Sequence, residues 1–433
     1  MNEVGPTATS TPHRGAIDAA RVGALVLVVL GHLSLAVIDR GPDGALRGDN
    51  VLALHPGLAW VAMLAPMPVF FAAAGWANAT STPVGSARRL RSLVGVGAAV
   101  VAVWSAASMV ELLVRGEGDI VADGARIATQ PLWFLAAYVP FAACGAWLAG
   151  IARRPVISIG VCLGVLATLD IARFALDAPK AIGWPGFFFA WVVPWLAGAA
   201  WRRRHEAGQF DEVRLGLVIA GVATAAAVGL VLAAGYFPSL IDAVEGERSN
   251  TTPPTLFTSV ASLVQVGLLM VAGGGLDRLA RRWRGLLDRA GEAAVGVYVW
   301  HLSGLALCAA ALAAGLWAPQ RFSLGWWLTR PLWFAAVLGV TALLVGLTSK
   351  ARRGKPPGEG SGSARVWAGL VFTTVGAGIV GLWGPRTVAG AIASVVGFGG
   401  GWWLLRPHPS PPPPSPKPEV GAATGPDPAR TPT

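Results

Sequence analysis

The stretch that decides the fold is residues 17–32, IDAARVGALVLVVLGH, an apolar run that carries Arg21 and His32. An α-helix turns about 100° per residue, so a spacing of eleven positions brings both side chains to within roughly 20° of one face, about 16 Å apart along the axis. Ionisable residues are rare inside membrane spans and usually serve a function there. The pattern predicts a membrane helix with a charged group near one water boundary and an imidazole deep inside.

The composition of the whole chain is that of a membrane protein. Hydrophobic residues make up 54% of it and charged residues 13%, whereas soluble proteins carry about 25% charged residues. No apolar run alternates as a barrel strand does, and helices satisfy their own backbone, so we predict an all-α polytopic membrane bundle of about twelve helices, a ten-helix core plus two. Each run can cross a hydrocarbon core of about 30 Å: 17–38, 51–78, 91–114, 131–151, 155–176, 184–201, 213–236, 256–276, 293–317, 326–348, 364–383 and 387–405.

Charge alternates between successive loops. Every second connection between the apolar runs is basic, and the connections between those are acidic. The positive-inside rule places the basic loops in the cytoplasm. Both termini then also lie in the cytoplasm, and we expect a multi-pass plasma-membrane protein. The net charge of +11 is then explained by topology and by attraction to anionic lipids, without a nucleic-acid partner. Basic clusters occur at every second connection: Arg88, Arg89 and Arg91; Arg153 and Arg154; Arg202, Arg203 and Arg204; Arg278, Arg281, Arg282 and Arg284; Lys350, Arg352, Arg353 and Lys355.

Breaks in composition divide the chain into five segments. The first apolar run is too long for a signal-peptide core and lacks a small-residue cleavage site, so we expect it to remain as an anchor. The tail is rich in proline and should be disordered. The segments are a cytoplasmic N-terminal segment (1–13), a ten-helix membrane domain (14–349), a basic and Gly-rich linker (350–363), an additional pair of membrane helices (364–405) and the tail (406–433).

Cysteines and metal-ligand patterns carry little signal. Cys144, Cys162 and Cys308 all lie within predicted spans, so they indicate no disulfide framework. No His, Cys or carboxylate pair has the usual ligand spacing, and no Walker, Rossmann or G-x-S-x-G motif is present. We therefore expect no metal and no bound cofactor, and ATP-driven transport by this chain alone is disfavoured.

Five short elements in order resemble the membrane-bound acyltransferase 3 family of cell-envelope O-acyltransferases. Ala74 departs from the pattern, because the family has a serine there. The elements are the opening helix 17–32, Pro68-Val69-Phe70-Phe71 followed by Gly75, the basic turn Arg88-Arg89-Leu90-Arg91, Leu132-Trp133-Phe134-Leu135, and Val297-Tyr298-Val299-Trp300-His301.

The resemblance implies transfer of an acyl group, most simply acetyl, from cytoplasmic acyl-CoA to a hydroxyl of an envelope carbohydrate or glycolipid. Arg21, near the cytoplasmic end of its helix, could bind the phosphate or pantetheine region of the donor. His32, about two-thirds of the way across, could act as general base, and such proton transfer is typically worth about 10²–10⁴-fold in rate. His301 is a further catalytic candidate, and the basic turn Arg88, Arg89 and Arg91 could bind donor phosphates.

The remaining candidates have structural alternatives of comparable weight. Asp18 could bind substrate or pair with Arg21, which could itself snorkel to headgroups. The two histidines could instead make interhelical hydrogen bonds. Glu111 could orient an acceptor sugar, but it is expected to lie in water. The other substrate-binding candidates are Trp133, Tyr298, and the intramembrane pair Asp170 and Arg173, which could line a cavity or simply neutralise each other.

A transporter or flippase of envelope precursors is the main alternative, because twelve spans with both ends inside also suits that class. Transporters often contain repeats and paired broken helices, and the sequence shows no convincing repeat between its halves. A non-catalytic relative of the family is a third hypothesis, to which Ala74 gives some weight.

Overall fold

The computed structural model describes most of the chain as helices joined by short connections. The described residues are 14–40, 46–79, 83–115, 120–208, 211–242, 244–314, 319–352 and 363–406. The predicted N-terminal segment, the centre of the linker and the tail beyond residue 406 therefore lie outside the described residues.

Sixteen α-helices and one β-hairpin are found in these residues. Short 3₁₀ turns occur at Pro56–Leu58, Gln130–Leu132 and Lys180–Gly183. In chain order the elements are α1 (Arg14–Leu35), β1 (Ala36–Arg40), β2 (Leu46–Asn50), α2 (Val51–Leu54), α3 (Ala59–Ala62), α4 (Met67–Asn78), α5 (Pro83–Arg115), α6 (Ile120–Thr129), α7 (Trp133–Ala143), α8 (Gly145–Ile151), α9 (Pro155–Phe174), α10 (Gly186–Ala207), α11 (Glu212–Ala234), α12 (Leu256–Arg282), α13 (Arg284–Ala313), α14 (Leu324–Arg352), α15 (Ser363–Leu382) and α16 (Val388–Leu404).

The all-α polytopic membrane bundle is confirmed, whereas the count of twelve spans is not. Ten helical segments of the described chain are long and apolar enough to cross a membrane. An eleventh span would run from α6 to α8, but it is bent by 75° where the chain leaves the helical conformation at Cys144. The last predicted span is α16, which has only 17 residues.

A small β-hairpin follows the first helix, where the apolar run alone predicted helix as far as residue 38. Strands β1 and β2 pair antiparallel, with Ala36 opposite Asn50. Arg321, in the connection between α13 and α14, fastens the hairpin: its Nη1 donates to Asp49 Oδ2 at 2.7 Å and its Nε lies 3.8 Å from Asp39 Oδ2. We call this end of the bundle the hairpin end, and the opposite end, where α1 begins, the basic end.

Glycines allow the closest helix contacts, as expected where packing and not the hydrophobic effect drives association. Helices α4 and α10 approach so closely that a Cβ at Gly75 would lie 1.9 Å from the carbonyl oxygen of Trp195. A Cβ at Gly198 would lie 2.0 Å from the carbonyl oxygen of Ala72. These two positions fix α4, which carries Phe70 and Phe71, against the centre of the bundle.

The C-terminal helix pair packs into the same core as α5 and α7. Phe398 of α16 is fully buried, and a Cβ at Gly97 of α5 would lie 2.8 Å from its ring. A Cβ at Gly381 of α15 would lie 2.7 Å from the Cβ of Trp133. Because the pair shares this core, it is an integrated part of the bundle, while the domain boundaries drawn from composition stay predictions.

Candidate active site

A pair of histidines lies at the contact between α1 and α13. Nδ1 of His32 is 2.9 Å from Nε2 of His301, and Nδ1 of His301 is 2.7 Å from the carbonyl oxygen of Tyr298. His301 is fully buried, whereas His32 is partly exposed. A reacting molecule would therefore meet the pair at His32.

The hydrogen bonds fix where the protons lie when both rings are neutral. A carbonyl oxygen can only accept, so Nδ1 of His301 carries the proton and Nε2 of that ring is an acceptor. Nδ1 of His32 must then donate to it, which leaves the lone pair on Nε2 of His32. The arrangement orients His32 to accept a proton at Nε2, in the way that a third group orients the base of a catalytic triad.

Tyr298 connects the histidines to the 3₁₀ turn Gln130–Leu132 that precedes α7. Its hydroxyl donates to the carbonyl oxygen of Pro131 at 2.8 Å. Its ring lies 5.9 Å from the ring of Phe134 and 6.4 Å from that of Phe70, between ring centroids. Three of the motif elements, on α4, α7 and α13, therefore meet beside the histidine pair.

Polar contacts on either side of His301 hold α13 in place. Nε1 of Trp300 donates to Oγ1 of Thr348 at 3.1 Å, and Nε1 of Trp104 donates to Oγ of Ser303 at 3.0 Å. One turn beyond His301, a Cβ at Gly304 would lie 2.4 Å from Oγ1 of Thr341. This close packing of α13 against α5 and α14 restricts the position from which the His301 ring projects.

Arg21 lies near the basic end and does not contact the histidines. Its Nη1 is 4.0 Å from Oδ1 of Asp18, and the two side chains are 51% and 53% exposed. The eleven-residue spacing places Arg21 about 16 Å from His32 along α1. The arrangement leaves its guanidinium accessible from the basic end of the bundle.

The predicted basic turn lies inside α5, five to eight residues after the first residue of the helix, Pro83. The side chains of Arg88 and Arg89 lie outside the described residues. Arg91 is partly buried, and one turn further along the helix a Cβ at Gly95 would lie 3.0 Å from Nε1 of Trp402. This part of α5 is therefore covered by the end of α16.

Trp133 packs among aromatic rings. Its ring centroid lies 5.7 Å from that of Trp191 and 6.1 Å from that of Phe187. Helix α15 covers it on another side at Gly381. The surroundings indicate a packing role for this residue.

Asp170 and Arg173 do lie together, with 3.6 Å between Oδ1 and Nη1, and the other hydrogen-bond partners of Asp170 are Tyr236 and Leu256. Oδ2 of Asp170 accepts from the hydroxyl of Tyr236 at 2.8 Å and from the backbone N–H of Leu256 at 2.7 Å. Burial, and next the Asp170 carboxylate, raise the pKa of Tyr236 above its ordinary value. The pair thus ties α9 to the start of α12 and to the segment after α11.

Two residues were misjudged or missed in the sequence. Glu111 is buried, contrary to expectation, and its Oε2 accepts from the backbone N–H groups of Val121 and Ala122, at the start of α6. Arg330 of α14 was overlooked, although an arginine inside an apolar span is a sufficient signal by itself. Within the described ranges, no group of three or more His, Cys, Asp and Glu residues could hold a metal ion.

Comparison with protein families shows to which family the chain belongs. A family model described as an acyltransferase domain, that of the acyltransferase 3 family, matches residues 14–350. The chain belongs to the acyltransferase 3 family. No curated protein and no solved structure matches it. This acyltransferase 3 protein is therefore a multi-pass membrane acyltransferase, and the matched residues contain the histidine pair, Arg21 and the basic turn.

Proposed function

We propose that this acyltransferase moves an acyl group, most simply acetyl, from cytoplasmic acyl-CoA to a hydroxyl of an envelope carbohydrate or glycolipid, with His32 as general base. The observation that carries the proposal is the ordered hydrogen-bond chain from the carbonyl of Tyr298 through His301 to His32. In such a chain, Nε2 of the more exposed ring, His32, is the nitrogen of that ring that carries no proton.

The transfer needs His32 as its only proton carrier. Nε2 of His32 takes the proton of the acceptor hydroxyl as its oxygen attacks the thioester carbonyl carbon. The tetrahedral intermediate then expels the thiolate of CoA as the C–S bond breaks, and the imidazolium returns the proton to sulfur. His301 stabilises that imidazolium by accepting from its Nδ1–H, so its role is to position and support His32.

The donor would enter from the basic end, which the positive-inside rule assigns to the cytoplasm. The half-exposed guanidinium of Arg21 can pair with a phosphate of CoA, in competition with Asp18. Further candidates for binding donor phosphates lie in the first part of α5, near the same end: Arg88, Arg89 and Arg91. In this proposal acyl-CoA is a substrate, and the protein holds no resident cofactor.

A transporter or flippase function is the alternative, and one observation favours it. The bent α6–α8 segment resembles the discontinuous helices of transporters. It is the single bent pair of this kind in the described chain, whereas transporters with repeats place such breaks in both halves. A protein that passes an acyl group across the bilayer during transfer would combine both functions.

The test is transfer of radiolabelled acetyl from acetyl-CoA to envelope glycan and lipid fractions by membranes containing the protein. His32→Ala should lower transfer by about 10²–10⁴-fold, whereas His55→Ala, at an exposed position near Phe322, should leave it unchanged. Arg21→Gln should raise the KM for acetyl-CoA more than it lowers kcat. Equal transfer by native protein and His32→Ala would exclude His32 as the base, and no transfer with any acyl-CoA donor would favour transport.

A further inference from the structure

Helix α14 presents an arginine and two tryptophans on one face near the hairpin end. Trp326, Arg330 and Trp333 are spaced by four and three residues, which places them on the same side of the helix. Leu328 and Leu332, about 200° around the helix from Arg330, are 71% and 72% exposed and face the surroundings of the bundle. Arg330 therefore belongs to the face that packs against the protein.

This face has donors without acceptors. The Arg330 guanidinium carbon lies 3.9 Å from the centre of the Trp326 ring and 5.6 Å from that of Trp333. Nε and Nη1 of Arg330, Nε1 of Trp326 and Nε1 of Trp333 are all buried, and none has a hydrogen-bond partner among the described residues. Trp191 and Trp195 also have unpaired Nε1 atoms, but here two such atoms lie beside a guanidinium with two buried, unpaired nitrogens.

A nearby arginine at the same end of the bundle has the carboxylate partners that Arg330 lacks. Arg321, nine positions earlier and also at the hairpin end, is matched by the carboxylates of Asp39 and Asp49. Arg330 has no carboxylate partner in the described part of the chain. Arg330 is only partly buried, but leaving two of its guanidinium nitrogens buried without an acceptor is costly. Its ring partners can donate but not accept, so the face is complementary to an anion with several acceptor oxygens.

The position of Arg330 suggests which anion. It lies six residues, about 9 Å, from the start of α14, in the end region of a membrane helix where arginine and tryptophan side chains commonly reach the lipid headgroups. Trp333 packs against the same core cluster as Leu33 and Leu305, which are close to His32 and His301 in sequence. We propose that Arg330, Trp326 and Trp333 form a phosphate-binding site at the hairpin end of the bundle, on the side that leads to the histidine pair.

The phosphate could be that of a membrane lipid or that of a water-soluble phosphate ester, and binding measurements separate the two. The delipidated protein in neutral detergent is titrated with phosphatidylglycerol, and bound lipid is counted by native mass spectrometry. Arg330→Gln should weaken the tightest lipid binding by about tenfold or more, since it removes a charge-assisted contact. Trp326→Phe, which keeps an aromatic ring but removes the Nε1–H donor, should weaken it less.

The matched control is Arg115→Gln, the same change in charge at an exposed position at the end of α5. It should bind lipid as the native protein does. Melting temperature checks that each variant is folded. If Arg330→Gln does not fold, the lipid binding of Trp326→Phe and Trp333→Phe tests the proposal.

The second arm adds glycerol phosphate or inorganic phosphate at millimolar concentration. If these solutes do not displace the bound lipid, the site binds a lipid headgroup. If they displace the lipid, or bind to the protein themselves, the site binds soluble phosphate esters. Equal lipid and phosphate binding by the native protein and all folded variants would overturn the proposal. Since no acyl transfer is measured, failure here is independent of the proposed catalytic function.

Discussion

Nδ1 of His32 and Nε2 of His301 are 2.9 Å apart although the two residues are 269 positions apart in the chain. They join the first helix to the helix that carries the Tyr-x-x-His element. The hydrogen bond from His301 to the carbonyl of Tyr298 gives the contact a direction, with the proton-accepting nitrogen at His32.

His301 should act as a positioning residue, which predicts a loss of turnover and not of donor binding. His301→Leu should lower kcat by roughly 10–100-fold, because His32 loses an acceptor that supports its charged form. His301→Gln should recover part of this loss, since its amide oxygen can replace the Nε2 acceptor. Steady-state kinetics with labelled acetyl-CoA check both variants, and an equal loss in the two would argue against this role.

Asp170 should matter for stability more than for substrate binding. Asp170→Asn removes the charge that faces Arg173 and weakens the hydrogen bonds from Tyr236 and Leu256, so unfolding should require about 1–3 kcal/mol less. The KM for each substrate should stay unchanged. Asp177→Asn, at an exposed position nearby, is the control for the substitution itself. A raised acceptor KM with native stability would instead assign the pair to a substrate site.

Tyr236 should make stability depend on pH in the alkaline range. Its pKa in the folded protein is raised by burial and by the Asp170 carboxylate, so the folded state holds the phenol proton more tightly than the unfolded state does. The unfolded pKa is about 10, and the free energy of unfolding should therefore fall as pH rises above about 10. Melting temperatures of native protein and Tyr236→Phe, measured from pH 8 to 11, should converge as the pH increases.

The contact between α4 and α10 should tolerate no side chain at Gly75. Gly75→Ala would place a Cβ against the carbonyl oxygen of Trp195, so the helices must separate at a cost of about 1–3 kcal/mol or more. Gly229→Ala in α11 has open space around the new methyl group and should be neutral or stabilising. Thermal unfolding in detergent measures both variants, and equal melting temperatures would contradict the observed packing.

The C-terminal helix pair should be required for a stable bundle. Phe398→Ala should cost about 3–5 kcal/mol, because the fully buried ring fills the space beside Gly97. Val396→Ala, at a position that is 53% exposed, should cost much less. Native stability of Phe398→Ala would show that α15 and α16 are peripheral to the core.

Local sequence features predicted a large part of this architecture. Long apolar runs were sufficient for the all-α membrane bundle, since each span forms its backbone hydrogen bonds internally. An apolar run does not show where a β-hairpin begins, so the predicted first helix ends three residues later than α1 does. The burial of Glu111 is not predictable from its local sequence, because the N-terminus of α6 that it caps is created only by folding.

The sequence by itself determined that Arg21 and His32 share a helix face, that Asp170 and Arg173 are within reach of each other, and that the chain resembles the acyltransferase 3 family. These relationships depend on spacing within one helix or on motif order. Only the tertiary structure decided that His301 contacts His32, that Tyr298 reaches the 3₁₀ turn before α7, and that Arg330 lies among buried donors. Those contacts join helices distant in sequence, and their positions depend on close packing at residues such as Gly75 and Gly304, which no local pattern specifies.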